Sequence, residues 1–137
     1  MADFTYPDNI TTNDDMLHLK GIDLNVELVA AQVNDINDDA AARAINDVET
    51  WMINYININY SFQGTRSDLN DFQKGYFKKA VCEQIDYILD NGDLRNLSGI
   101  DSGTGMAMDK KIIESRVLAP NAYNFLHRCG LANYKRL

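Results

Sequence analysis

The fold turns on Ser67-Asp68-Leu69-Asn70-Asp71-Phe72-Gln73-Lys74-Gly75-Tyr76-Phe77-Lys78-Lys79-Ala80-Val81-Cys82-Glu83-Gln84-Ile85-Asp86-Tyr87-Ile88-Leu89-Asp90-Asn91-Gly92. Ser67 reads as a helix N-cap, Asp68 and Asp71 put anions in the first turn where the helix dipole favours them, and Gly92 suits the C-terminus. The interval holds about seven turns at 3.6 residues per turn. Lys79, Glu83, Asp86 and Asp90, spaced four, three and four, form a polar stripe that reads as the solvated side. Leu69, Tyr76, Phe77, Ala80, Val81, Gln84, Ile85, Ile88 and Leu89 spread over much of the rest. An ordinary surface helix carries one apolar stripe, so such breadth implies cover on several sides. Either the helix is central in a small bundle or a second subunit covers part of it. No residue constellation in the stretch announces a reaction.

Upstream, Ser61 to Arg66 is too short to be anything but a connector, and it leads back into a second long helix from about Asp38 to about Asn59. There Ala41, Ala44, Ile45, Val48, Met52, Tyr55 and Ile56 share a face with Trp51 at its edge, while Asn46, Asp47, Glu49, Asn54 and Asn57 lie elsewhere. Helices joined by so short a loop are expected to pack antiparallel and adjacent. Residues 22–33 fit a strand, a helical turn or a packed loop equally well. Thr12 to Gly21 reads as a short helix capped by Thr12 and stopped at Gly21, and residues 1–11 as an N-terminal arm.

Downstream of Gly92, residues 94–108 hold Gly99, Gly103 and Gly105 with Ser98, Ser102 and Thr104, the composition of an extended Gly/Ser-rich loop. Residues 110–118 fit a strand or one or two helical turns. Pro120 opens a short C-terminal helix in which Ala122, Phe125, Leu126 and Cys129 share a face, His127 and Arg128 favour the negative end, and Gly130 ends it. Residues 132–137 read as a C-terminal tail. The whole, residues 1–137, is one mainly α domain: a small helical bundle with two long antiparallel helices.

Composition narrows the classes. At 45% hydrophobic and 24% charged the chain is ordinarily globular, and no apolar run approaches the roughly 18 residues of a membrane span. The first residues have neither a basic region nor an apolar core, so they do not read as a signal peptide. Cys82 and Cys129 both fall on predicted helices, which favours buried free thiols in a reducing compartment over a disulfide. The net charge of −7 argues against a dedicated nucleic-acid binder. Residues 1–105 hold 7 Lys/Arg against 18 Asp/Glu, whereas residues 106–137 hold 6 against 2. A basic end of this kind suits docking on an acidic surface.

Chemistry-bearing patterns are few. Ile100-Asp101-Ser102-Gly103-Thr104 resembles the active-site loop of aspartic proteases, of which a short chain could form half. That fold needs strands around the loop, and about 50 residues of helical pattern precede it here. Asp35, Asn37 and Asp39 match the first ligand positions of a calcium loop, but Ala40 stands where Gly is needed and Asn46 where a bidentate Glu is needed. The glycines from Gly99 to Gly105 lack the Lys-Ser/Thr of a phosphate loop. His18 and His127, the only histidines, pair with no ligand-spaced Cys or acid, and they build no Ser-His-Asp or Cys-His site. No cofactor or metal is expected. Trp51, Tyr55, Tyr60, Tyr76 and Tyr87 read as core or subunit-interface aromatics rather than base-stacking ones.

Val48-Glu49-Thr50-Trp51-Met52-Ile53-Asn54-Tyr55-Ile56, then Phe77 to Gly92 followed by Ser98-Gly99, then Leu118-Ala119-Pro120-Asn121-Ala122-Tyr123-Asn124-Phe125-Leu126-His127-Arg128-Cys129-Gly130-Leu131, carry a resemblance. Taken together they resemble the small head–tail connector (adaptor, or head completion) proteins of tailed bacteriophages, over residues 38–131. The match is one of helix order, lengths and anchors, and none of its motifs is catalytic. It implies a structural virion protein rather than an enzyme: a homo-oligomer, a twelve-fold ring docked on the portal protein, linking capsid to tail at the virion neck after assembly in the host cytoplasm. A tail-side connector or stopper protein would follow it, and DNA would pass through without sequence-specific binding or any membrane contact. Lys135, Arg136 and Leu137, with Arg128 behind them, are then the expected docking residues. The competing class is a non-viral helical module that binds another helix.

Overall fold

The computed structural model describes residues 8–30, 38–90 and 118–133. Five α-helices lie there: α1 Asn13–Lys20, α2 Leu24–Ala30, α3 Asp38–Asn59, α4 Asp71–Asp90 and α5 Pro120–Arg128, with a 3-10 turn at Arg66–Asp68 and no strand among the described residues. The mainly α bundle expected from the sequence is the fold. The Gly/Ser-rich loop, Asp101, residues 110–117 and the calcium-like Asp35 and Asn37 fall outside the described residues, as do Lys135, Arg136 and Leu137.

Helix α4 is the hub. It packs most extensively on α5, and also on α1 and α3. Its buried side chains are Phe77, Ala80, Val81, Cys82, Gln84, Ile85 and Ile88. Positions 77, 80, 81, 84, 85 and 88 make one broad stripe, which Cys82 widens. Cover for α4 therefore comes from its own chain, and the breadth of its apolar surface requires no second subunit.

Local chemistry sets the helix ends. The Thr12 hydroxyl accepts from the Asp15 N–H at 3.1 Å while the Asp15 carboxylate accepts from the Thr12 N–H at 2.9 Å, a reciprocal capping box. Gly21, at φ 69°, closes α1 by donating to the Leu17 carbonyl at 3.0 Å. Within the ambiguous stretch after it Leu24–Ala30 form α2, whose start is fixed where Asn13 Oδ1 accepts the Leu24 N–H at 2.8 Å and Asp23 Oδ1 accepts the Asn25 N–H at 3.0 Å. At α4 the expected N-cap is displaced. Ser67 sits inside the 3-10 turn, and Asn70 is the cap: its Oδ1 accepts from the Gln73 N–H at 2.8 Å, and Gln73 Oε1 accepts from the Asn70 N–H at 3.1 Å. Asn70→Ala should accordingly lower stability by about 1 kcal/mol, and Ser67→Ala by much less, in paired urea titrations.

Two segments read as loose ends are tied to the bundle. Asn9 donates to the Ala42 carbonyl at 3.0 Å, Ile10 and Thr11 donate to Glu49, and Thr11 is buried, so the end of the N-terminal arm is docked on α3. At the other end, Leu131 and Ala132 are buried, their N–H groups reach the Leu126 carbonyl at 2.9 and 3.2 Å, and the Asn133 carbonyl accepts from the Ser61 N–H at 2.8 Å. A tail beginning at residue 132 is thus corrected: the core runs through Ala132, held by the left-handed Gly130 (φ 84°) that turns the chain back onto α5.

Candidate interaction surface

The described residues hold one buried charge network and one exposed aromatic face. The network centres on Glu49, which was expected off the core face and is instead fully buried on α3. Its carboxylate accepts from the Ile10 N–H at 3.0 Å, the Thr11 N–H at 2.7 Å and Arg66 Nη1 at 3.0 Å. Arg66 Nη2 donates to Asn46 Oδ1 at 3.0 Å, so the guanidinium is neutralised and held in a fixed orientation. A cleft of about 490 Å³ opens beside it, lined by Arg66, Lys74 and Lys78 but also by Asp8 and Asp71. With Arg66 already engaged and two carboxylates present, the cleft has little surplus charge for an anion. The network's role is to fasten the N-terminal segment and the α3–α4 connector to α3.

The exposed face lies along α4 and α5. Phe72, 61% exposed, stands 5.1 Å from Tyr76 between ring centroids, and Tyr76 stands 6.1 Å from Phe125. Lys79 Nζ lies 5.1 Å from the centre of the Tyr76 ring, and the Arg128 guanidinium lies 5.9 Å from that of Phe125. These are cation–π distances. Among the described residues neither cation has a carboxylate within ion-pair distance. Arg128, a predicted docking residue, is exposed and set over the Phe125 ring. The ladder was missed in the sequence, although Phe72, Tyr76 and Lys79 are spaced four and three and Phe125 and Arg128 three, the spacings of neighbours on one helical face.

Further along the same face the sign of charge reverses. Glu83, Asp86 and Asp90, with Pro120 and Asn121, line a cleft of about 350 Å³. The stripe expected to be solvated is only partly so. Lys20 Nζ from α1 sits 3.0 Å from Glu83 Oε1 and 3.2 Å from Asp86 Oδ2, leaving Asp90 and Lys79 as its exposed ends. The Glu83 hydrogen bond is the main reason the Lys20 ammonium titrates above its ordinary 10.5. A cation with a raised folded pKa stabilises fully below its unfolded value, and that stability is lost as pH rises through the folded value. The stability difference between the parent chain and Lys20→Met should therefore be flat across neutral pH and shrink above pH 10.5, read from urea titrations at each pH.

Both cysteines are free and buried, as expected. Burial, reinforced by the carboxylates of Asp15 and Glu83, pushes the Cys82 thiol up to about 12, which removes it as a nucleophile near neutral pH. Among the described residues no group of His, Cys, Asp and Glu is placed to hold a metal ion, and no helix is long and apolar enough to cross a membrane. Comparison with protein-family models, with curated proteins and with solved structures finds no match.

Proposed function

We propose that this chain is a structural subunit of a tailed-bacteriophage head–tail connector, acting in the virion neck as a ring on the portal and having no catalytic residue. The observation that carries this reading is the run of elements under the three resembling stretches. Among the described residues a 22-residue helix is followed by a 20-residue helix, and a nine-residue helix that Pro120 opens and Gly130-Leu131 closes lies C-terminal to both. All three contribute to one hydrophobic core, with Met52 and Ile56, Phe77 and Ile85, and Ala122, Leu126 and Leu131 inside it. The acidic body suits a channel along which DNA slides, because like charge discourages the polymer from sticking. A portal on one side, a tail-side connector or stopper on the other, and further copies of the chain around the ring are the partners this reading assigns.

The test is electron microscopy of purified portal mixed with this chain. The reading expects a ring of added density on the portal. A chain that stays monomeric or dimeric beside bare portals overturns it and favours the helical interaction module. Because the core runs through Ala132 and Asn133 anchors the connector, the docking residues are tested by removing residues 134–137 only. That truncation should leave helical content unchanged and lower the yield of tailed particles. Equal docking at physiological salt would leave Lys135, Arg136 and Leu137 without the role proposed.

A further inference from the structure

One seam of α4 runs Phe72, Tyr76, Lys79, Glu83, Asp86, Asp90, with steps of four, three, four, three and four, exposed at Phe72, Lys79 and Asp90 and partly covered at the other three. Such a repeat keeps every member on one side of the helix, as in a coiled-coil seam. At 1.5 Å per residue it is about 27 Å long. Its first half is aromatic and cationic, with Arg128 of α5 adding to Lys79, and its second half is acidic and forms a cleft with Pro120 and Asn121. Phe72 is 61% exposed at one end of the seam, and Asp90 is exposed at the other.

We infer that this seam is a two-fold contact between copies of the chain, with the aromatic and cationic half of each α4 lying antiparallel against the acidic half of its partner. The charge order decides the occupant. A partner of single charge sign meets like charge on half of the seam, and a parallel second copy sets acid on acid and Lys79 on Lys79. Only reversal pairs Lys79 and Arg128 with carboxylates of the other copy at both ends at once, and this is the isologous arrangement that closes as a dimer. Reversal also brings the exposed Phe72 ring of each copy toward the cleft of the other, an aromatic anchor of the kind that carries interface energy. Lys20 already pairs with Glu83 and Asp86 within the chain, so the exposed Asp90 is the carboxylate left free for the other copy, and Glu83 and Asp86 would share theirs with Lys20. The inference goes beyond the ring reading and does not rest on it. A two-fold pair sets its copies in opposite senses, so it is an association of free subunits that must open before Arg128 can face a portal, and not a contact within a ring whose subunits all point one way.

The experiment mixes isotopically light and heavy full-length chains, treats them with a carbodiimide and maps the linked peptides, alongside sedimentation velocity over a range of concentration and salt. The expected result is a monomer–dimer equilibrium that salt weakens, with Lys79 of one isotope joined to Glu83, Asp86 or Asp90 of the other. Lys79→Glu with Arg128→Glu should weaken the dimer by roughly tenfold or more, as should Asp86→Lys with Asp90→Lys. A one-to-one mixture of the two double variants should form a heterodimer, since an acidic seam then meets a cationic one. Circular dichroism confirms that each double variant is folded. A monomer at every concentration, cross-links between copies that lie elsewhere, or a first double variant that dimerises like the parent overturns the inference. Rings on portals without these cross-links would overturn it while leaving the connector reading intact, and these cross-links without rings would do the reverse.

Discussion

A chain carrying Ile85→Asp is expected to show no cooperative thermal transition under conditions where the parent chain is folded. Ile85 has no exposure and lies in the core cluster on the buried stripe of α4. Its loss forfeits about 1.5–3 kcal/mol of apolar burial. The new carboxylate must then either stay ionised without a partner or take up a proton, at a further cost of several kcal/mol. Together these approach the whole stability of a typical domain, about 5–15 kcal/mol. Leu89→Asp should be milder because Leu89 is only half-buried at the edge of the core. Lys79→Glu, on the exposed side, should change stability by about 0.5 kcal/mol or less. Melts followed by circular dichroism at 222 nm rank the three, since that wavelength reports helix directly in an α-rich chain. Equal losses for Lys79→Glu and Ile85→Asp would show that α4 is not packed as described.

Glu49→Ala should cost about 3–5 kcal/mol, the range for removing one partner of a buried ion pair. Glu49 is wholly buried and Arg66 is 13% exposed, so little water is at hand to replace what is lost. The substitution takes the carboxylate from the guanidinium, which keeps only neutral partners in Asn46 and Asn9, and strands the N–H groups of Ile10 and Thr11 together. Arg66→Ala should cost less, because the carboxylate keeps its two backbone donors. The double variant should lose less than the sum of the single ones, since each removes the partner the other strands. Urea titrations with a common m-value measure all three. If the losses simply add, the pair is not coupled and the N-terminal segment is held by something other than Glu49.

Much of the architecture was legible because helices declare themselves through period and punctuation. The capping of α1 by Thr12, its stop at Gly21 and the opening of α5 at Pro120 all follow from residues within a turn of the feature they explain. The start of α4 was misplaced for a local reason too: Ser67 and Asn70 are both good caps, and only Asn70 has Gln73 three residues on to reciprocate. The exposed face was harder to see. Tyr76 counts as apolar on a wheel and Lys79 as polar, yet they join one ladder because α5 brings Phe125 and Arg128 beside them across 49 residues of chain.

By itself, then, the sequence determined that the described residues are mainly helical, where α1, α3 and α5 lie, and which side of α3, α4 and α5 seeks a core. Those properties depend on neighbours three or four residues away, within reach of propensity, capping and apolar period. The tertiary structure alone decided which polar groups go inside. Glu49 falls four residues after Ile45 and three before Met52, at the edge of the core face, but its charge reads as a surface residue, and its burial is tolerated because Ile10, Thr11 and Arg66, distant in sequence, supply donors enough to offset the loss of water. Lys20 likewise turns part of a solvated stripe into an ion-paired seam from 63 residues away. Compensation of charge across such separations leaves no periodic trace in the chain, because it depends on where helices come to rest rather than on how they form.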